Sequence, residues 1–267
     1  MWCAQAGRMV SFSQLERLLW YGNTLLGAIL LLRLVFLRLH RTYLWFFLYL
    51  CVSLAQSLLG IGFMGDPNRY ALLYLLSQPF LWFLYILIVL ELYSLVLRNH
   101  RGIASLSRWT LMAGLALSIA ISFFTLLPDL QQIEGPYPVL LYYSVVERGI
   151  ISSLVVFLVL ILAFLVWYPV PLSRNLLVHA VVYCVYFLSS TLTLFIRHMA
   201  GFATTRTVST ILIGLTTLCL VAWIAFLHRA GEVRTVVLGH RWRPEDEERL
   251  VEQLDAINSV LLRSARK

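Results

Sequence analysis

Seven long apolar runs decide what this chain can fold into. They lie near residues 17–38, 43–63, 71–97, 108–127, 149–168, 175–197 and 206–228. A helix rising 1.5 Å per residue crosses the hydrocarbon of a bilayer in about 20 residues. Each run is therefore long enough to span. In lipid every backbone N–H and C=O must find its partner within the protein, which leaves helices or closed barrels. The runs are far longer than barrel strands and do not alternate, so helices are expected and strands are not. Composition agrees: 60% of the residues are hydrophobic and 13% charged, where a soluble domain carries about 25% charged. Seven prolines (Pro67, Pro128, Pro136, Pro138, Pro169, Pro171, Pro244) fall between or beyond the runs. Pro79 alone lies inside one, where it is expected to kink the third span.

The formal net charge of +8 is not a nucleic-acid signal. The arginines are spread along the chain, mostly in short connections, and read as topology signals. Arg38, Arg41, Arg98, Arg101, Arg108, Arg174, Arg229 and Arg234 fall on one side of a seven-span arrangement. Arg8, Arg17, Arg69, Arg148, Arg197 and Arg206 fall on the other, interleaved with Glu16, Asp66, Asp129, Glu134 and Glu147. The bias puts the N-terminus outside and the C-terminus in the cytoplasm. Residues 1–16 then form an N-terminal extramembrane segment, 17–229 the transmembrane domain and 230–267 a cytoplasmic tail. No secretory signal peptide is expected in the first 16 residues. The connection 128–148 is the longest, and its aromatic end is expected to run as an outer helix into the fifth span.

The tail contains "PEDEERLVEQLDAINSVLLRSARK". Pro244 suits a first helical turn, with acids after it and Arg263, Arg266 and Lys267 at the end to match the helix dipole. Leu250, Leu254, Ile257 and Leu261 make one apolar seam on a helix near 244–264. So short a helix must dock on something, whether its own bundle, a second copy in a homodimer, a lipid surface or a cytoplasmic protein partner.

Polar groups inside the spans carry the functional expectations. The fourth run has Gly114, Ser118 and Ser122 at spacing four, a close-packing face. In the sixth run His179, Tyr183, Tyr186, Ser190, Thr193 and Arg197 recur at spacings of four and three, a polar stripe on one helical face. Such a stripe should face protein or a wet cavity rather than lipid. Two readings stand: hydrogen bonding between helices, or a path for a ligand or solute. Matching by depth collects Asn23, Gln56, Gln78, Ser190, Thr193, Arg197 and Ser209 in the outer half, with Thr24 and Thr210 beside them. They could line an outward-facing pocket between helices, which usually pairs apolar walls with a few polar groups. In the inner third lie Arg33, Glu91 and His179. A charge there needs a partner, so Arg33 paired with Glu91 beside His179 is either a fixed bridge or a switchable site, unless Arg33 snorkels and Glu91 is protonated.

Several classes are excluded by missing residues. There is no Gly-x-Ser-x-Gly elbow, His-Glu-x-x-His motif or P-loop. The single lysine is Lys267, so a retinal Schiff base in the seventh span is impossible, although the plan resembles rhodopsins in outline. Cys3, Cys51, Cys184 and Cys219 show no metal-ligand spacing. His179 and His228 fall at one depth on consecutive spans, the arrangement that bis-histidine haem ligation needs, but a lone histidine at a span end is ordinarily interfacial. No enzyme activity, cofactor or metal is expected.

The segments "RPEDEERLVEQLDAINSVLLRSARK" and "LELYSLVLRNHRGIASLSRW" resemble small multi-span bacterial membrane proteins of no assigned activity. The resemblance implies a bacterial inner-membrane location and no functional residues. The expectation is thus an all-α, polytopic seven-transmembrane-helix bundle with a short cytoplasmic amphipathic C-terminal helix. A receptor- or sensor-like function leads. A small transporter or channel using the sixth-span stripe stands as the alternative, and a structural or assembly subunit as a further one.

Overall fold

The computed structural model describes residues 14–63, 66–96, 138–167, 171–200, 205–233 and 235–237, with isolated positions at 116, 252, 253 and 256. Among them are six long helices: α1 (Gln14–Phe36), α2 (Leu44–Gly62), α3 (Pro67–Val96), α4 (Pro138–Trp167), α5 (Arg174–Ala200) and α6 (Thr205–Phe226). Five of these, all but α4, have a segment long and apolar enough to cross a membrane. The architecture fits a helical membrane protein. The fourth apolar run, 108–127, and the tail seam Leu250, Leu254, Ile257 and Leu261 lie outside the described residues.

The helix starts follow local chemistry. Asp66 caps α3: its Oδ1 accepts from the backbone N–H of Asn68 (3.1 Å) and Arg69 (3.3 Å), and Pro67 takes the first helical position. The helix therefore begins four residues earlier than the apolar run, and it continues through Pro79. Ser173 caps α5 by accepting from the Leu176 N–H at 3.3 Å. Pro138 opens α4, which runs without a break to Trp167, so residues 138–148 of the long connection are helical and continuous with the apolar run 149–168.

One element departs from the all-helical expectation. Pro171–Ser173 (β1) pairs antiparallel with Thr235–Val237 (β2), in the register Pro171↔Val237, Leu172↔Val236 and Ser173↔Thr235. Neither segment has the alternation of a free strand. The ladder forms because both segments lie outside the helices, where backbone groups are left to find partners.

Contacts divide the chain into two units, residues 1–88 with 192–229, and 89–191 with 230–267. In the first, α1 packs on α2 and on α6. Thr217 Oγ1 donates to Asn23 Oδ1 at 3.0 Å, and Arg33 Nη2 donates to the Leu227 carbonyl at 3.1 Å. Both partners advance by ten residues from one bond to the other, so α1 and α6 run parallel. Between α2 and α3 the bonds Gln56–Ser77 (2.7 Å) and Tyr49–Tyr85 (3.5 Å) advance in opposite senses, so that pair is antiparallel. Leu30, Leu34, Phe46, Leu50 and Trp223 are buried, and Phe46 meets Trp223 with ring centroids 5.0 Å apart. Leu18, Leu25, Leu32, Phe36 and Leu218 are exposed, as lipid-facing side chains are.

In the second unit Val89, Leu92, Tyr93, Leu154, Phe157 and Leu158 are buried with Leu172, Leu176, His179 and Tyr183. Tyr93 meets Phe157 edge-on at 6.3 Å.

Candidate functional site

A small cleft opens in the first unit where α1 begins. Its volume is about 130 Å³, and it is lined by Trp20 from α1, Gln56, Ser57 and Gly60 from α2, and Tyr70, Leu73 and Tyr74 from α3. Spacing explains the wall. Gln56, Ser57 and Gly60 stand at i, i+1 and i+4, and Tyr70, Leu73 and Tyr74 at i, i+3 and i+4, so each set shares a helical face. Gly60 lets the indole come close: a Cβ there would lie 3.3 Å from Trp20 and 3.5 Å from Tyr70. Gln56 Nε2 donates to Ser77 Oγ, and Ser77 donates on to the Tyr74 carbonyl at 3.3 Å. The amide nitrogen is thereby held, while the amide oxygen and the Ser57 hydroxyl remain as polar features of a wall made mostly of rings. An engineered apolar cavity of about 150 Å³ holds benzene, so this cleft suits a group of about one ring or a few heavy atoms.

Of the residues collected by depth, Gln56 lines this cleft. Asn23 is instead the partner of Thr217. Gln78 and Ser209 are half-buried. Ser190 and Thr193 are buried, and Ser190 donates to the Tyr186 carbonyl of its own helix at 2.9 Å. Arg197 belongs to α5, but its side chain lies outside the described residues. Trp20, Tyr70 and Tyr74 were not in the sequence-derived set. They could have been found by adding rings to the depth match, since clefts at a membrane boundary are commonly walled by aromatics.

Of the sixth-span stripe, His179, Tyr183, Ser190 and Thr193 are buried and Tyr186 is half-buried. His179 and Tyr183 are fully buried. Their rings stack at 6.1 Å, and Tyr183 stacks in turn on Phe187 at 5.6 Å. Asn175, one turn before His179, is also fully buried, and its Nδ2 donates to Glu232 Oε1 at 2.8 Å. The column is thus Asn175, His179, Tyr183 and Phe187 at steps of four. Sequence reading found its middle and missed both ends, because Phe187 is apolar and Asn175 sits at the helix start. Gly231 packs against Asn175 so closely that a Cβ would lie only 2.8 Å from the amide carbon.

Of the inner polar cluster, Arg33 belongs to the first unit, and Glu91 and His179 to the second. The guanidinium of Arg33 meets the Leu227 carbonyl and, at 2.9 Å, His228 Nδ1. The ionisable side chain at its tip is therefore His228. Arginine donates and cannot accept, so His228 Nδ1 is the accepting atom of this bond. Among the described residues no cluster of three or more histidine, cysteine, aspartate or glutamate side chains could hold a metal ion.

Comparison with known protein families, with characterised proteins and with solved structures gives no match for this chain.

Proposed function

We propose that the chain is a receptor-like protein of seven spans in a bacterial inner membrane, taking a small ligand at the Gln56 cleft. The cleft carries this reading: it is concave, ring-walled and supplied with few polar groups, and on the orientation expected from the arginine distribution it would open outward. Two further observations support it. The parallel run of α1 and α6 requires an odd number of crossings from one to the other, which seven spans satisfy, as do the five described helices long and apolar enough to cross. The sixth-span stripe is stacked and bonded to its own helix, which favours a fixed spine over a solute path. Occupancy of the cleft would pass to the tail, whose amphipathic helix would act on a protein partner or a second copy.

The test is native mass spectrometry of gently solubilised protein, followed by solute flux in proteoliposomes. A reproducible added mass, lost in Gln56→Leu and Gly60→Leu, with no flux, is the expected result. Flux that depends on His179 would reassign the chain as a transporter. No added mass in any preparation, with no flux, would leave an assembly subunit as the better reading.

A further inference from the structure

The other end of the first unit carries a second candidate site, with no bearing on the cleft. Here α1 ends, the chain turns through Leu39–Arg41, and α2 begins. The turn is pinned on both flanks to the last turn of α6: Arg33 bonds Leu227 on one side and Phe46 meets Trp223 on the other. Leu39 and Tyr43 are buried beneath it. Arg38, Arg41 and Arg229 are left exposed at this same end. Arg33 is not one of this group, because it is only half-exposed and its Nη2 is engaged by the Leu227 carbonyl and His228 Nδ1.

No acid of the first unit stands with these cations. Its acids are Glu16 and Asp66. Glu16 lies in the first turn of α1, and Asp66 caps α3, both at the opposite end. The nearest carboxylate in sequence, Glu232, accepts from Asn175. Concentrated positive charge at a membrane boundary attracts anionic headgroups. The second observation identifies the occupant. Phe36 is 83% exposed and Leu32 55%, with Leu44 and Phe226 also exposed at this end. Exposed aromatic and aliphatic side chains directly beside exposed guanidiniums fit a molecule with an anionic head and acyl chains. A free anion has no use for the apolar flank, and an acidic protein segment has little.

The geometry points to an anionic phospholipid bound at the junction of α1, α2 and α6, its phosphate held by Arg38, Arg41 and Arg229 and its chains along Phe36, Leu32 and Phe226. Arginine suits the role because its planar fork grips phosphate oxygens in pairs.

Native mass spectrometry of the full chain in detergent tests this, with phosphatidylglycerol and phosphatidylcholine of matched acyl chains as probes. Phosphatidylglycerol should be retained and phosphatidylcholine should not. Each of Arg38→Gln, Arg41→Gln and Arg229→Gln should weaken retention roughly fivefold, from about 1 kcal/mol per basic residue near an anionic surface. Arg69→Gln, at the far end and already paired with Asp66 at 3.1 Å, should leave it unchanged. Equal retention of the two lipids would overturn the site, as would full retention in all three single variants. Inorganic phosphate that displaces the lipid at millimolar concentration would overturn the lipid assignment in favour of a free anion. The single variants replace exposed side chains, and melting without added lipid checks that each one is folded.

Discussion

Arg33 shows how one side chain resolves a charge inside a span. Its guanidinium meets a carbonyl that the end of a helix leaves unpaired, at the end where the helix dipole is negative. A hydrogen bond to a charged group is worth about 1.5–3 kcal/mol, more than the average of about 0.6 kcal/mol for a contact such as Asn23–Thr217 between spans. Arg33→Leu should therefore lower stability by about 1.5–3 kcal/mol in a reversible SDS titration, and Arg33→Lys, with charge but no fork, by less. Equal stability of Arg33→Leu and the parent chain would show that the bond contributes nothing. Arg38 makes a different point. It takes a left-handed backbone, φ 58°, which costs a side-chain-bearing residue roughly 1–2 kcal/mol. A residue kept there against that cost is consistent with an arginine wanted for its charge.

At the scale of elements, the clasp is the feature with the clearest mechanical content. β2 brings the chain beyond the last helix back to the start of α5, and Gly231 and the Asn175–Glu232 bond hold it there. Gly231→Ala would drive a methyl group into the Asn175 amide. Hydrogen exchange at Leu172, Ser173 and 235–237 should then accelerate, while exchange in the middle of α5 should not. Unchanged protection at both strands would mean that the clasp does not depend on this contact. None of it was legible beforehand. Three-residue strands have no periodicity to read, and Gly231 is informative only once its neighbour is known. The helices were legible because about 20 apolar residues in succession have few alternatives. Their starts were misplaced by up to four residues at α3, where the apolar count was followed instead of the Asp66-Pro67 cap. The cleft was half legible: depth identified Gln56, while the rotation that turns Asn23 toward Thr217 is a property of packing and not of spacing.

For the whole molecule, direction is the useful quantity. On the proposed seven-span reading, the parallel α1 and α6 put the chain before α1 and the chain after α6 on opposite faces of the membrane. Reporter fusions or single-cysteine labelling before residue 14 and after residue 237 should give opposite accessibilities, with the fusion beyond 237 reporting cytoplasm. The same side for both would remove the odd crossing count and the seven-span reading with it. In the inner cluster, depth offers Glu91 and His179 to Arg33, while the adjacency of α1 and α6 supplies His228 and the Leu227 carbonyl.

That adjacency also governs how the protein is made. Helices enter the bilayer in order of synthesis, so α1 is inserted long before α6 exists. Throughout that interval Asn23 and Arg33 stand in or at the edge of hydrocarbon without Thr217 and Leu227, the groups that satisfy them later. The young first helix is poorly suited to lipid and must be sheltered by the insertion machinery or by provisional neighbours. The helix that completes it is α6, so a chain halted before residue 205 lacks the partners of Asn23 and Arg33.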